Sequence, residues 1–294
     1  MIIPPYRVSL SGGGIKGFAH IGALEVLEEH GLLHTVKEYI GISAGALCAF
    51  ALCIGCSLKE IRRIGTGLDF GQIRDLDPET VLNFPDTFGL DTGANVEKLL
   101  VALLKGKGLE PNITFQELAA KKAGPALRVF ATNMNMCVAE EFSAVASPDT
   151  EVRFAVQASM SVPIYFKPLK DTKTGHLFLD GGIMCPSPMK YLAYEEQLTT
   201  LAIAFGDKHK RTEKIDTLSE FIFQLYYCLD YHESVQLKAL WPMNTITIES
   251  GGVNMLDFEA GIDAKSLVID AGRRAAATFL KSPGQKPVRR FSIV

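Results

Sequence analysis

Residues 7–20, with the sequence RVSLSGGGIKGFAH, join a short run of β-forming residues to a glycine-rich turn and then to an apolar segment. Tyr6 to Leu10 predicts a strand that ends at the serine and the glycines. Gly17 to His30 predicts a helix, because apolar side chains recur at intervals of three and Gly31 follows as a C-terminal cap. A strand, a glycine turn and a helix in this order are typical of an α/β fold with a mainly parallel sheet.

The turn itself, Gly12-Gly13-Gly14-Ile15-Lys16-Gly17, has glycines at the first, third and sixth positions of the dinucleotide-binding fingerprint. Glycines allow backbone N–H groups to point at an anion, and a helix N-terminus attracts the same charge. The anion can be a cofactor phosphate or an oxyanion that forms during a reaction. A ribose site needs a carboxylate at the end of the second strand, whereas Glu38 precedes the apolar part of that strand. The dinucleotide interpretation therefore lacks the carboxylate that would bind the ribose.

A second motif, Gly41-Ile42-Ser43-Ala44-Gly45, lies between a predicted strand, Val36–Ile42, and a predicted helix, Ala44–Cys56. A serine between two glycines at a strand-to-helix junction is typical of a nucleophile elbow, where a sharp turn exposes the hydroxyl. The alternative is that the two glycines only allow the helix and the strand to pack closely.

A serine hydroxyl needs a base, because it is a weak nucleophile at neutral pH. One candidate is Asp180, which ends a predicted strand and is followed by Gly181 and Gly182. The other is a triad in the order Ser, Asp, His, with Asp207 and either His209 or His232. The residues alone leave both candidates open.

The rest of the chain alternates short apolar runs with amphipathic stretches, which extends the α/β pattern over one domain, residues 1–294. Between Gly65 and Gly93 this alternation of apolar runs and amphipathic stretches is absent, which predicts a long, partly apolar loop and a candidate lid. The further predicted strands are Leu127–Thr132, Val138–Phe142, His176–Leu179, Thr199–Phe205 and Asn244–Ile248. The further predicted helices are Asn95–Lys105, one capped by Thr114, Val152–Ser159, one capped by Thr217, and Ala264–Leu280.

Composition and charge exclude several classes of protein. Hydrophobic residues make up 47% and charged residues 21% of the 294 residues, which is typical of a globular chain. The net charge of −3, from 30 basic and 33 acidic residues, argues against nucleic acid as a main partner. The basic clusters at residues 208–211 and around Lys286, Arg289 and Arg290 are interpreted as solvated surface.

The N-terminal residues lack the basic start and apolar stretch of a signal peptide, so we expect a cytoplasmic protein. Tyr39 to Leu58 is an uncharged run of 20 residues, which is the length of a membrane span. Gly41, Ser43 and Gly45 interrupt this run near its start. A buried strand followed by a buried helix is therefore predicted, and no transmembrane helix.

Cys48, Cys53 and Cys56 have the C-x₄-C-x₂-C spacing of one class of iron–sulfur protein. Ligands of such clusters usually lie on an irregular loop, whereas these cysteines fall in a run of Ala, Leu and Phe that predicts a helix. We therefore expect buried free cysteines and no metal site.

Taken together, three motifs resemble those of the patatin-like phospholipase family: residues 12–17, the Ser43 motif, and Asp180 with its two glycines. Residues 113–118 and Ala158-Ser159 also fit the family pattern. The resemblance covers about residues 7–207, and it implies a three-layer α/β/α fold with a mainly parallel central sheet.

The resemblance also implies a lipid acyl hydrolase with a Ser–Asp dyad and no metal or diffusible cofactor. In such an enzyme Ser43 attacks the ester carbonyl, Asp180 takes its proton, and the amides of Gly12, Gly13 and Gly14 stabilise the oxyanion. The expected substrate is a phospholipid or another acyl-ester lipid, met by transient contact with a membrane surface. The residues expected to support these groups are Lys16, as a buttress of the loop, Gly17, Gly41, Gly45, Gly181 and Gly182.

One position departs from the family pattern. Many members carry Asn a few residues after the Asp-Gly-Gly, where this chain has Cys185-Pro186-Ser187-Pro188. That Asn can brace the turn that holds Asp180. A nucleotide- or anion-binding module and a catalytically silent regulatory member stay open as alternatives, as do a homo-oligomer and a protein activator.

Overall fold

The computed structural model describes residues 5–68, 82–206, 214–218, 220–222, 224–225, 228, 244–250 and 261–281. Most of the predicted strands and helices are confirmed there, within a few residues at each end. The strands are β1 Arg7–Leu10, β2 Glu38–Gly41, β3 Gly89–Asp91, β4 Ala126–Asn133, β5 Val138–Ser143, β6 Ile164–Phe166, β7 Leu169–Lys170, β8 Leu177–Leu179, β9 Thr200–Phe205 and β10 Thr245–Ile248. The helices are α1 Phe18–Glu29, α2 Ala44–Cys53, α3 Leu58–Gly67, α4 Phe84–Thr87, α5 Ala94–Gly106, α6 Phe115–Lys121, α7 Val152–Ser159, α8 Tyr194–Leu198 and α9 Ile262–Lys281.

The central sheet is mainly parallel, as the sequence predicts, and its strands follow the order β10-β9-β1-β2-β4-β8-β7, with β5 also paired to β4. The four strands β10, β9, β1 and β2 run parallel to one another, and β2 runs parallel to β4. β5 and β8 are antiparallel to β4. A short separate sheet pairs β3 with β6.

Alternate side chains of each central strand enter two different cores. In β9, Leu201 and Ile203 belong to a large core that also holds residues of α1, α2, α7 and α9. Ala202 and Ala204 point the other way, into a small core closed by Met189 and its neighbours. This alternation is the period of a strand that is buried on both faces. The α/β layering is confirmed, with short segments covering the second face.

The uncharged run from Tyr39 to Leu58 forms the end of β2, all of α2 and the turn that leads to α3. This confirms the predicted buried strand and buried helix. Among the helices in the described ranges, none has both the length and the apolar character needed to cross a membrane.

The prediction of a loop from Gly65 to Gly93 is wrong where the structure describes it. α3 continues to Gly67, and α4 and β3 follow from residue 84, while residues 69–81 lie outside the described part of the chain. The sequence carried a signal for α3: Ser57 Oγ accepts the amide of Glu60 at 3.2 Å, and the Glu60 carboxylate accepts the amide of Ser57. This is a capping box of the same kind as the one predicted and found at Thr114.

The C-terminal helix α9 packs on α1 through glycines. A Cβ at position 272 would lie 1.9 Å from the carbonyl oxygen of Ala19, and a Cβ at position 22 would lie 1.9 Å from that of Ile269. Only hydrogen atoms on both Cα positions allow the two backbones to come this close.

Replacing Gly272 by alanine is therefore expected to lower the free energy of unfolding by about 2–3 kcal/mol, because one helix must move away from the other. Urea unfolding measures the change. Gly106→Ala is the matched control, since Gly106 ends α5 and no atom lies within 4 Å of its added methyl group. The control is expected to gain up to about 1 kcal/mol from helix propensity. Equal stability of Gly272→Ala and the wild type would contradict this close packing.

Candidate active site

Two strands approach each other end to end along one edge of β4. β5 pairs with β4 over residues 128–133, so it occupies one edge of that strand. β2 pairs with β4 with Gly41 opposite Val129, and β8 pairs with it with Leu179 opposite Thr132. Since a strand has only two edges, β2 and β8 must share the other one. Their carboxyl ends therefore point at each other.

This arrangement brings Ser43 and Asp180 together. If the pairing of β2 with β4 is continued two residues past Gly41, Ser43 falls opposite Ala131. If the pairing of β8 with β4 is continued one residue past Leu179, Asp180 falls opposite the same residue. The contact between the two turns is close, because a Cβ at position 181 would lie 3.2 Å from Cγ2 of Ile42. The turns that carry the two residues, which are 137 positions apart in the sequence, therefore lie close together at the same level of the sheet.

Ser43 sits at the N-cap of α2 in a strained backbone conformation. Its φ is 54° and its ψ is −124°, a combination that residues with a Cβ rarely adopt. Its amide donates a hydrogen bond to Ser159 Oγ at 2.9 Å, and the Ser159 hydroxyl donates to the carbonyl oxygen of Phe130 at 2.6 Å. Ser159 is fully buried in α7. It ties the strained turn to β4.

The flanking glycines are required by close packing as well. A Cβ at position 45 would lie 2.3 Å from the carbonyl oxygen of Leu10, and one at position 41 would lie 2.5 Å from Cα of Ala46. The packing interpretation of the motif is therefore right for the glycines. It does not account for the positive φ of Ser43, which is the feature of a nucleophile elbow.

The glycine loop lies beside Ser43. A Cβ at position 12 would be 3.3 Å from Cβ of Ser43. Gly14 has a φ of 53° and opens a 3₁₀ turn over residues 14–17. Within the described part of the chain, the amides of Gly12 and Gly13 donate to no backbone carbonyl. The loop can therefore offer N–H groups to an anion next to the serine.

The supporting residues of this loop are closely packed. Lys16 is only 4% exposed, which agrees with a buttress rather than a solvated side chain. A Cβ at position 17 would lie 2.6 Å from Cβ of Ala44, so the loop packs directly on the start of α2. One at position 13 would meet the ring of Phe205 at 2.4 Å.

His20, which the sequence did not single out, supports the start of the glycine loop. Its Nε2 donates to the carbonyl oxygen of Ser11 at 2.9 Å, and its ring lies 5.1 Å from that of Phe205. Complete burial lowers the pKa of His20 to about 4, so the ring is neutral at pH 7. No sequence pattern predicts this hydrogen bond, because it joins a helix residue to the backbone of a turn nine residues earlier.

Asp180 is fully buried and held by its own turn. Its Oδ1 accepts the amide of Gly182 at 2.8 Å, and its amide donates to the carbonyl oxygen of Ser161 at 2.8 Å. Its carbonyl oxygen accepts the hydroxyl of Thr132 at 2.8 Å. The amide of Cys185 donates to the carbonyl oxygen of Gly181 at 2.8 Å. Hydrogen bonds of the main chain thus brace the turn that holds Asp180. In many patatin-like phospholipases an Asn a few residues later can serve this purpose.

An almost wholly apolar cavity of about 150 Å³ opens beside Ser43. Gly14 and Gly17 of the glycine loop line it, together with Met160 that follows α7. The site therefore combines a serine, a neighbouring carboxylate, a glycine loop and an apolar chamber. Such a combination suits acyl transfer from an ester with a hydrocarbon chain.

Of the alternative interpretations, the structure contradicts the ribose site at Glu38 and does not test the triad. Glu38 lies at the amino end of β2, far from the glycine loop along the strand, and pairs with Arg7 and Arg128 at 2.6 and 2.8 Å. It is not placed to bind a ribose. Asp207, His209 and His232, the members of the alternative triad, lie outside the described residues. None of the four described histidines lines the cavity at Ser43.

The three spaced cysteines are buried, as predicted. Burial raises the pKa of Cys48 to about 12 and raises that of Cys53 further. Cys53 Sγ donates to the carbonyl oxygen of Ala126. Buried, protonated thiols such as these pack in the core much like small apolar groups.

Comparison with known proteins gives consistent findings. A family model described as patatin-like phospholipase matches residues 8–193. YqhO, an uncharacterized protein of Bacillus subtilis, is 30% identical over 289 residues, covering 92% of this chain and 96% of YqhO. The probable lipid hydrolase 463L of invertebrate iridescent virus 6 is 29% identical over 182 residues, covering 59% of this chain and 58% of the viral protein. The crystal structure of VipD from Legionella pneumophila is similar in fold, with a TM-score of 0.64 at 18% identity, covering 95% of this chain and 67% of VipD.

Proposed function

The chain belongs to the patatin-like phospholipase family, and on that basis we propose that it hydrolyses acyl esters of lipids with Ser43 as nucleophile and Asp180 as general base. The observation that supports this proposal is the end-to-end approach of β2 and β8, since the turn after β2 carries the strained Ser43 and the turn after β8 carries the buried Asp180. The name of the viral relative 463L, a probable lipid hydrolase, supports a lipid substrate.

In the first step, Ser43 Oγ attacks the ester carbonyl carbon while its proton passes to the carboxylate of Asp180. Gly182 fixes the orientation of this carboxylate by donating to Oδ1. A carboxylate has two oxygens, so fixing one of them does not end its capacity to accept a proton. Burial removes competing water and strengthens the interaction between the two groups.

The carbonyl oxygen becomes negatively charged in the tetrahedral intermediate. We assign its stabilisation to the amides of Gly12, Gly13 and Gly14, because Gly12 lies beside Ser43 and, within the described residues, the amides of Gly12 and Gly13 donate to no backbone carbonyl. Each donor of such an oxyanion hole contributes about 3–4 kcal/mol. The amide of Ser43 donates to Ser159 and is therefore engaged elsewhere.

The intermediate collapses when the bond to the leaving alcohol breaks and Asp180 returns the proton to the leaving oxygen. Water then attacks the acyl–Ser43 ester, with Asp180 again accepting a proton, and the fatty acid leaves. The cycle balances with water alone, so we propose that it is independent of metal ions.

We further propose that the substrate is a phospholipid or another acyl-ester lipid, taken from a membrane surface. Two large apolar side chains on the segment before β3 are well exposed: Leu82 at 81% and Phe88 at 57%. We propose that these two side chains contact lipid when the protein meets a membrane surface.

The test of this function is the release of p-nitrophenol from p-nitrophenyl butyrate, and of fatty acid from phosphatidylcholine vesicles, with EDTA present. We expect both products, at rates that EDTA leaves unchanged. Activity that stops in EDTA and returns with added Ca²⁺ would contradict the metal-independent mechanism. A folded wild type that releases neither product would favour the catalytically silent alternative.

A further inference from the structure

His20 is fully buried in α1, and its Nε2 donates a hydrogen bond to the carbonyl oxygen of Ser11 at 2.9 Å. We propose that this bond makes His20 a positioning residue, which orients the N–H of Gly12 toward the oxyanion that forms at Ser43. The proposal rests on the function proposed above and adds a residue to its oxyanion site.

The hydrogen bond acts on Gly12 because the carbonyl of Ser11 and the amide of Gly12 belong to one peptide unit. This peptide is trans. A trans peptide is planar, and its C=O and N–H point in opposite directions. A donor that holds the Ser11 oxygen therefore fixes the direction of the Gly12 N–H. It also polarises the peptide, which makes that N–H a stronger donor.

Gly12 is in a position to use this N–H on the reacting group. A Cβ at position 12 would lie 3.3 Å from Cβ of Ser43. Within the described part of the chain, the Gly12 amide donates to no backbone carbonyl. An amide that secondary structure does not hold needs another group to orient it.

The glycine loop requires a hold from outside, because residues 12–14 have no side chains that could fix it. Peptides that flank glycine can adopt more conformations than others. The Ser11 oxygen is confined from a second direction, since a Cβ at position 45 would lie 2.6 Å from it. The oxygen thus packs against the backbone of α2 and bonds to His20 of α1.

His20 also reaches the next glycine, through Phe205 at the end of β9. The centroids of the two rings lie 5.1 Å apart, and the rings are tilted by 50°. A Cβ at position 13 would lie 2.4 Å from Cε2 of Phe205, so the phenyl ring packs directly on Gly13. The imidazole therefore supports two successive residues of the loop.

The protonation state of His20 suits this role. Because a carbonyl oxygen only accepts, Nε2 must carry the proton. Burial lowers the pKa of the ring to about 4, so at pH 7 the ring is neutral and Nδ1 is a bare acceptor. Among the described residues, the buried Nδ1 has no hydrogen-bond partner. Such an atom lowers stability, and an apolar side chain would avoid the cost. Stability alone therefore does not explain a histidine here.

The experiment compares three replacements of His20 in the hydrolysis of p-nitrophenyl butyrate. His20→Leu removes the donor, and we expect kcat to fall by about 10- to 100-fold with KM nearly unchanged. His20→Gln should recover most of this loss, because its terminal NH₂ lies as far along the side chain as Nε2 of histidine. His20→Asn carries the same group on a shorter side chain and should be as slow as the leucine variant.

A trifluoromethyl ketone, which forms a tetrahedral oxyanion on a serine, reports on the oxyanion site without turnover. Its Ki should rise in the Leu and Asn variants by the factor by which kcat falls, and should return with Gln. His30→Leu is the matched control. His30 lies at the other end of α1, and its Nδ1 bonds to the carbonyl oxygen of Val26 at 2.8 Å. This variant should keep the wild-type kcat, KM and Ki.

The kinetic outcomes separate this inference from the function itself. Wild-type kcat and Ki in His20→Leu would overturn the inference and leave the hydrolase standing. An equal loss in the Gln and Asn variants would also overturn it, because the effect would then follow the loss of the ring rather than of the donor. If the wild type hydrolyses no ester, the function fails, and NMR then decides the inference.

The NMR measurement uses ¹³C-carbonyl serine and ¹⁵N glycine, which together select the two Ser–Gly peptides of the sequence, 11–12 and 250–251. Ser250→Ala assigns the two signals. The ¹⁵N signal of Gly12 should move upfield in His20→Leu, because the peptide is less polarised, and should return in His20→Gln. A Gly12 signal that stays in place in His20→Leu, or that does not return in His20→Gln, would overturn the inference.

Discussion

Replacement of Ser43 by glycine is expected to abolish ester hydrolysis and to make the protein more stable. The hydroxyl is the proposed nucleophile, so kcat should fall by at least about 10⁴-fold. The backbone at Ser43, with φ 54° and ψ −124°, is strained for any residue with a Cβ and relaxed for glycine. Relief of this strain should raise the free energy of unfolding by about 1–2 kcal/mol, after the greater flexibility of unfolded glycine is subtracted.

Ser43→Ala separates the two effects. It removes the same hydroxyl but keeps the Cβ, so it should lose the activity without gaining the stability. Lys122→Gly is the control for the backbone, because Lys122 is an exposed residue with a φ of 52° at the end of α6. It should gain stability with full activity. Urea unfolding and p-nitrophenyl butyrate hydrolysis give both readouts. Equal stability of the Gly and Ala variants at position 43 would show that the elbow is unstrained, and residual hydrolysis by either would remove Ser43 as the nucleophile.

The motifs and their strand-and-helix context could be predicted from sequence because they are local. A glycine pair around a serine and a glycine loop after a strand are visible within six residues. Helices such as α7 were predicted to the residue for the same reason, since periodicity is a property of one segment. The proposed dyad depends on β8 running antiparallel to β4 on the edge that β2 leaves open. No local pattern specifies that edge.

Polar contacts between residues far apart in the sequence could not be predicted either, because they too leave no local pattern. Ser159 supports the elbow across 116 residues, and its family motif gave no indication that its hydroxyl would accept the amide of Ser43. The apolar cavity beside Ser43 is lined by residues of several helices that are far apart in the sequence, so no single segment predicts it. The two-stranded β3–β6 sheet is likewise too short and too distant in sequence to leave a pattern.

Replacement of Asp180 by asparagine should lower kcat by about 10²- to 10⁴-fold while leaving KM and the fold nearly unchanged. Asparagine has the same shape, and its side-chain oxygen can still accept the amide of Gly182 that now bonds to Oδ1. It cannot take the proton of Ser43. The loss should therefore appear in the chemical step, measured by single-turnover hydrolysis of p-nitrophenyl butyrate. Asp171→Asn makes the same change in an exposed hairpin turn, where Asp171 bonds to Thr174, and should keep full activity.

Two further variants decide between the dyad and a triad. His209→Ala and His232→Ala should each retain the wild-type rate if Asp180 accepts the proton directly. In a Ser-Asp-His triad built on Asp207, one of these histidine variants would instead lose activity, and Asp180→Asn would keep most of it. The geometry favours the first result, because Asp180 already reaches the level of Ser43 along β4 with its carboxylate oriented by Gly182. If Asp180 accepts the proton as proposed, the acyl transfer has no step that requires an imidazole.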